Sequence, residues 1–332
     1  MVLLPKDSAK LINSYSTHVT VAKEGIDKLG QKILQETING KLSFNNISQN
    51  TIHPRAKDPW AVDWIFVVDS LNFCFWDIEH KKRHWKVDGQ SGYFALGAAI
   101  NRAIKEGVDI LNPAFYATIN EEQLGSVLRG DTSVSIPLLK ERVKCLQESG
   151  TVLKEKYGGS FLNCIKLAEG SALKLLEIII NSFEHFRDEC QYKGHSVSFY
   201  KRAQILVADV WTCHQGEGVG SFRDIDELTM FADYRVPQVL VLFGVLSYSP
   251  ELMDILKKED VLKYGSEMEV EIRGCSIHAV ELLKEYVNAN LPADKKINSV
   301  LIDHFLWDYR RAHQREIAKN DIQHHKCICI YY

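Results

Sequence analysis

One carboxylate in the stretch "TMFADYRVPQVL", residues 229–240, stands in a setting suited to chemistry. Asp233 follows an aromatic and an alanine, precedes Tyr234 and Arg235, and lies just ahead of Val236-Pro237, a dipeptide that reads as a helix start. The partial positive charge of a helix N-terminus favours an ionised carboxylate, and Arg235 is close enough in sequence to do the same. An ionised acid so placed can attack an electrophilic carbon or take a proton from water. Capping of the helix, or a structural ion pair, is the plain alternative.

Other stretches hold further groups of this kind. In "FYKRAQILVADVW" (199–211), Tyr200, Lys201 and Gln204 fall to one side of an apolar stripe. Lys201 there is either a solvated cation or a partner for a phosphate. "NSVLIDHFLWDYRR" (298–311) carries Asp303 and Asp308, five residues apart and only loosely on one side of a straight helix. Near aromatics they can bind an amine or a base edge, or they can pair with Arg310 and Arg311. "VDSLNFCFW" (68–76) sets Asp69 and Asn72 among Phe73, Phe75 and Trp76, which reads as core or as a wall that stacks a planar base. His53 in "TIHPRAKD" precedes Pro54 and so sits in extended chain. Gly216, Gly218 and Gly220 form a glycine-rich turn without the flanking pattern of a nucleotide loop. Ser221 to Asp224 reads as a capping pair that opens a short helix.

The elements that must position these groups are mostly helical. Asp58-Pro59 reads as cap and first turn of a helix whose stripe is Ala61, Trp64, Ile65 and Val68. "GYFALGAAINRAIKEG" stops at Gly107, and Leu176, Ile179, Ile180 and Phe183 form a further stripe. Ala203, Leu206, Val207 and Val210 repeat the spacing, as do Ala279, Leu282, Leu283 and Tyr286. Strands are predicted only in part of "FCFWD" with "RHWKVD", in "MEVEIRG", and in the tail "CICIYY", where Cys327, Cys329 and Tyr331 alternate with Ile328, Ile330 and Tyr332. The tail's His324, His325, Cys327 and Cys329 have a spacing too tight for the usual zinc knuckle, so no metal is expected. The expected fold is mainly α with minor β elements. It forms one globular unit over 1–332, built as two intimate helical lobes meeting near "KYGGSF" (156–161).

Composition excludes several classes. The 332 residues are 45% hydrophobic and 25% charged, ordinary for a globular chain with a sizeable core. A net charge of -3 argues against a protein that tracks nucleic acid, so no stable nucleic-acid complex is expected. No apolar run reaches membrane length, and "MVLLPKDSAK" is too short a run for a secretory signal. The eight cysteines are scattered without a CxxC pair, which predicts reduced thiols and a cytoplasmic or nuclear protein.

"WIFVVDSLNFCFW", "FYKRAQILVADVW", "GSFRDIDELTMFADYRVPQVLVLFGVLSYSPEL", "EIRGCSIHAVELL" and the terminal "CIYY" together resemble the queuosine salvage proteins, or queuosine 5'-phosphate N-glycosylases. The resemblance runs from about His53 to the last residue. It implies a helical fold similar to that of DNA glycosylases. It implies hydrolysis of the N-glycosidic bond of queuosine 5'-monophosphate, releasing queuine for tRNA modification, with no cofactor or metal. The "ADYR" aspartate, here Asp233, is then the acid at the reacting sugar, with Arg235 beside it. Base contacts map onto His53, Phe231, Asp303 and Asp308, and the commonly aromatic position after Asp303 is His304 here. Lys201 is the candidate for the phosphate. Queuine is a 7-deaza base with no N7 to protonate, so fixed polar contacts must assist its departure. Two other readings fit the same residues: a non-catalytic queuine carrier or partner of the tRNA-modifying enzyme, and a glycosylase acting on polymer.

Overall fold

The computed structural model describes residues 2–43, 52–76 and 84–332. It is mainly helical, and among the described residues the strands occur only in two-stranded antiparallel pairs. Among the described residues no helix is long and apolar enough to cross a membrane.

The chain divides into two compact bodies. The first takes the described parts of Met1–Ile47, then Asp188–Lys201 and Ile225–Ile328. Its axis is the helix Glu267–Ala289, apolar on several faces, with Val270, Ile272, Cys275, Val280, Leu283 and Val287 all buried. Helices Pro5–Tyr15 and Lys23–Ile38 pack on it through Ile12, Ile26, Leu29 and Ile33. A Cβ on Gly274 would lie 2.6 Å from Ile12 side-chain carbons, so only glycine permits this helix contact. The buried Glu271 carboxylate is satisfied by the Thr17 amide at 3.0 Å, the His18 amide at 2.6 Å, the Ser16 hydroxyl at 2.8 Å and the Tyr192 hydroxyl at 2.8 Å. Strand Val19–Val21 pairs with Leu246–Tyr248. The hairpin Glu189–Tyr192 with His195–Ser198 turns at Lys193-Gly194, whose φ values of +46° and +85° suit a two-residue hairpin turn.

The second body takes the described parts of residues 48–187, then 202–224 and 329–332. Helices Ala61–Ser70, Tyr93–Lys105, Leu139–Lys156, Phe161–Leu167 and Ala172–Ser182 build it. Its aromatic core includes Phe66 stacked on Phe161 at 4.6 Å, and Phe183 lies 5.1 Å from the same ring. The "KYGGSF" stretch joins two of its helices.

Several expectations are corrected. "MEVEIRG" is helical, inside Glu267–Ala289, because its apolar residues serve a helix buried on more than one face, where period-2 alternation and helical spacing look alike. Among the described residues "CICIYY" forms no strand; Lys326, just ahead of it, makes one isolated parallel bridge to Val261, and the Tyr332 carbonyl accepts the Cys74 amide at 3.0 Å. Lys86–Val87 is a short strand, but it pairs with Gln90–Ser91 rather than with "FCFWD", whose described residues 73–76 are not in a strand; Asp77 and Arg83 lie outside the described residues. Asp58 does not cap Ala61–Ser70; its carboxylate accepts the Arg55 amide at 2.7 Å. The short 3-10 helix Ile225–Glu227 follows Asp224 directly, as expected, but the Asp224 carboxylate serves a different helix as well. It caps Ala172–Ser182 from a distance in sequence, accepting the Ala172 amide at 2.6 Å and the Ser171 hydroxyl at 2.6 Å.

Candidate active site

Asp233 ends the loop that joins the short turn Ile225–Glu227 to the helix Val236–Leu242. Met230, Phe231 and Ala232 are buried in the first body and anchor that loop, so Asp233 emerges from a fixed base. Its amide donates to the Phe231 carbonyl at 2.7 Å, closing a tight three-residue turn. Asp233 Oδ1 accepts the amides of Arg235 and Val236, each at 2.8 Å. Pro237, with no N–H, follows at the second helical position, where it costs nothing. The capping role is therefore real, and it occupies one oxygen only. Among the described residues Oδ2 accepts no hydrogen bond, and Asp233 remains half-buried rather than sealed. A carboxylate gripped at one oxygen and open at the other is oriented for chemistry without losing its lone pairs to the protein.

The electrostatics separate this acid from its neighbour. Burial raises the Asp233 pKa above the usual carboxylate value. The Lys201 charge, the two backbone N–H groups and the Arg235 charge oppose that rise. Asp303, on the helix Ser299–Ala312, is 5% exposed and accepts the Phe231 amide at 3.0 Å. Burial, followed by the negative charge of Asp233, pushes the Asp303 pKa well above its ordinary value. Two acids that share one low-dielectric region do not both ionise readily. Asp303 is the more buried of the two and is pushed further from its ordinary value, so Asp233 is the one better placed to ionise.

Around them stand the other first-body candidates. Phe231 is buried and meets the His304 ring edge-on at 6.2 Å and 85°. Lys201 is 7% exposed, so it is not a solvated cation, and its charge acts on both Asp233 and Asp303. Arg235 is half-buried with its guanidinium 5.0 Å from the Tyr234 ring. Arg310 was not among the sequence candidates. Burial, then the Arg235 charge, lowers its pKa to about 10, while its Nε donates to Gln238 Oε1 at 3.1 Å. Among the described residues neither Arg235 nor Arg310 has a carboxylate within ion-pair distance. Asp308 is exposed beside the charge of Arg311, so the fold brings Asp303 to Asp233 and leaves Asp308 at the surface.

His53 belongs to the second body. Its Nε2 lies 3.0 Å from the Tyr93 hydroxyl, which donates to Asp209 Oδ2 at 3.1 Å. A hydroxyl that donates to a carboxylate must accept from the imidazole, so His53 carries its proton on Nε2 and offers Nδ1 as an acceptor. Burial lowers its pKa to about 4, which keeps the ring neutral. Phe73, Asp69 and Asn72 turn out to be core: Phe73 is fully buried between the guanidinium groups of Arg142, at 4.2 Å, and Arg202, at 4.9 Å. Gly220 is a packing glycine, since its Cβ would meet the Val210 carbonyl at 2.8 Å.

Sequence reasoning missed Arg273 and Asp188. Arg273 stands beside Gly274 in "EIRG", where a charged residue next to a glycine inside an apolar helix was a usable signal of a buried ion pair. Asp188 left no local signal.

A family model described as queuosine salvage protein matches residues 52–332. The chain is 42% identical to the queuosine 5'-phosphate N-glycosylase/hydrolase of Bos taurus, over 100% of this chain and 99% of that protein. It is 43% identical to the protein of the same name from Mus musculus, over 99% of each. With that of Schizosaccharomyces pombe it shares 39% identity over 95% of this chain and 93% of that one.

Proposed function

The chain belongs to the queuosine salvage protein family, and on that footing we propose that it hydrolyses the N-glycosidic bond of queuosine 5'-phosphate, releasing the base with Asp233 as the catalytic carboxylate. The relatives it matches along nearly their whole length carry the name queuosine 5'-phosphate N-glycosylase/hydrolase. The observation that carries the assignment to Asp233 is its uneven bonding: Oδ1 is held by two backbone N–H groups, and Oδ2 accepts no hydrogen bond among the described residues.

Departure of a base builds positive charge at C1' of the ribose, as in glycoside cleavage generally. An ionised Asp233 opposes that charge and either bonds to C1' or takes a proton from the water that does so. In the first course a ribosyl ester forms and water then cleaves it; in the second, water adds directly. Asp303, neutral while Asp233 is ionised, is suited to donate a hydrogen bond to the leaving base, which has no N7 to receive a proton. Phe231 and His304 offer ring faces for that base, and Asp308 a carboxylate for the ammonium of its side arm. Lys201, Arg235 and Arg310 are the cations available to the 5'-phosphate. Of these, Arg235 and Arg310 have no carboxylate in ion-pair contact among the described residues, which favours them over Lys201, whose charge bears on Asp233 and Asp303.

The test is single-turnover release of free base from queuosine 5'-phosphate, followed by mass spectrometry, for the parent protein and Asp233→Asn. Asparagine keeps an Oδ1 acceptor for the Arg235 and Val236 amides, so folding and binding should survive. The cleavage rate should fall by roughly a thousandfold or more. Cleavage by Asp233→Asn at near the parent rate would sink the assignment. Methanol added as acceptor separates the two courses: retained configuration in the methyl riboside marks the ester, inverted configuration marks direct attack.

A further inference from the structure

Within the first body Arg273 forms two buried ion pairs, with Asp188 and with Glu269. Arg273 and Asp188 are 0% and 1% exposed and form a two-pronged contact, Nη1 to Oδ1 at 3.0 Å and Nη2 to Oδ2 at 2.5 Å. Arg273 Nε donates to the carbonyl of Ala232, the residue before Asp233, at 3.0 Å. Asp188 Oδ2 accepts the backbone amide of Lys201 at 3.2 Å. A single pair therefore grips the backbone on which Asp233 is mounted and the backbone on which Lys201 is mounted.

The grip on Lys201 matters because the chain there is held in an unfavourable conformation. Tyr200, just before it, has φ +47°, a left-handed value that costs a residue with a Cβ about 1–2 kcal/mol. Its hydroxyl is tied to Glu189 Oε1 at 2.6 Å, and the next amide is the one Asp188 accepts. Strain of this kind persists only where surrounding contacts impose it. The pair is itself braced: the Tyr264 hydroxyl donates to Asp188 Oδ1 at 3.1 Å, Glu269 Oε1 lies 3.3 Å from Arg273 Nη1, and the guanidinium sits 4.0 Å from the Phe199 ring. A buried ion pair adds little net stability over an apolar pair of the same shape, so its value is in geometry. The fork of an arginine fixes three acceptors at set angles in a way a lysine does not.

We propose that Arg273 and Asp188 are positioning residues of the active site, holding the backbone of Lys201 in register with the loop that carries Asp233. The role rests on the catalytic reading of Asp233. Neither residue touches substrate.

Arg273→Lys, Asp188→Asn and Tyr264→Phe are compared with the parent protein and Asp233→Asn. The measurements are melting temperature, kcat and KM for queuosine 5'-phosphate across pH, and the titration midpoint of the Asp233 carboxyl by 13C NMR without substrate. Arg273→Lys and Asp188→Asn are expected to leave KM within about threefold, to lower kcat by about ten- to a hundredfold, and to move the Asp233 midpoint upward. Tyr264→Phe, which removes one hydroxyl, should shift the midpoint the same way by less. A lowered melting temperature with parental kcat per folded molecule and an unmoved midpoint would make the pair a structural brace only and overturn the proposal. If the first two variants do not fold, Tyr264→Phe decides: parental kcat and midpoint overturn it. Asp233→Asn keeps the two questions apart, since its activity tests the catalytic reading alone, while the midpoint in the other variants reports the coupling to Lys201 with or without turnover.

Discussion

Asp303 accepts the backbone N–H of Phe231 at 3.0 Å, two residues before Asp233, so one loop carries the first acid and is pinned by the second. Burial and the Asp233 charge push the Asp303 carboxyl toward its neutral form, and the Phe231 N–H works against that shift.

Asp303→Asn tests that neutrality. Asparagine offers an Oδ1 for the Phe231 amide and N–H groups in place of the acid proton, so activity should stay within about tenfold of the parent. Asp303→Leu leaves the amide unsatisfied and should cost about 1–3 kcal/mol of stability as well as the rate. Loss of all activity in a folded Asp303→Asn would instead require an ionised Asp303.

Stability against pH follows from the same shift. The folded pKa of Asp303 lies above its unfolded one, so between the two the native protein holds a proton that the unfolded chain has released. Stability then falls as pH rises through that window, by at most about 1.4 kcal/mol per pH unit for this group. Asp303→Asn has no such proton. Its melting temperature relative to the parent should be level below the ordinary carboxylate range and should climb steadily above it. A difference that does not vary with pH would refute the protonated Asp303.

The pH dependence of kcat/KM should show an acid limb above the ordinary carboxylate value, because burial raises the Asp233 pKa and only its ionised form works. A protonated Asp303 puts no charge on Asp233, so Asp303→Asn should leave the limb where it is. A limb at or below the ordinary value in the parent protein would assign it to another group.

Arg235→Gln and Arg310→Gln should each raise KM for queuosine 5'-phosphate by about tenfold or more, the loss expected for a charge-assisted contact of about 1.5–3 kcal/mol. KM for the unphosphorylated nucleoside should hardly move. Equal losses for nucleotide and nucleoside would remove these arginines from the phosphate site.

Gly274→Ala probes the scaffold alone. Its methyl would meet Ile12 at 2.6 Å, and overpacking of this kind costs about 1–3 kcal/mol. The melting temperature should drop by a few degrees with KM unchanged. An unchanged melting temperature would mean that the helices move apart freely.

The chain's residues determined locally what local physics can determine. The helix Tyr93–Lys105 ends at Gly107 with φ +78°, as its glycine predicts, and Ala203, Leu206, Val207 and Val210 are fully buried along the helical spacing. Asp233 was legible because its cue is local: an acid, then a helix start, with Oδ1 bonded to amides two and three residues on. Period alone did not decide "MEVEIRG", because an element buried on several sides loses the contrast between apolar and polar faces. The tail alternates like a strand, but a strand needs a partner, and partners are set by tertiary packing. For Lys201 and Asp303 the sequence left two readings open, a solvated charge or a ligand contact. Only the fold brought residues from 188, 201, 233, 273 and 303 into one body, and only burial there separated the two carboxylates. Desolvation depends on everything packed around a group, and sequence spacing does not carry that information.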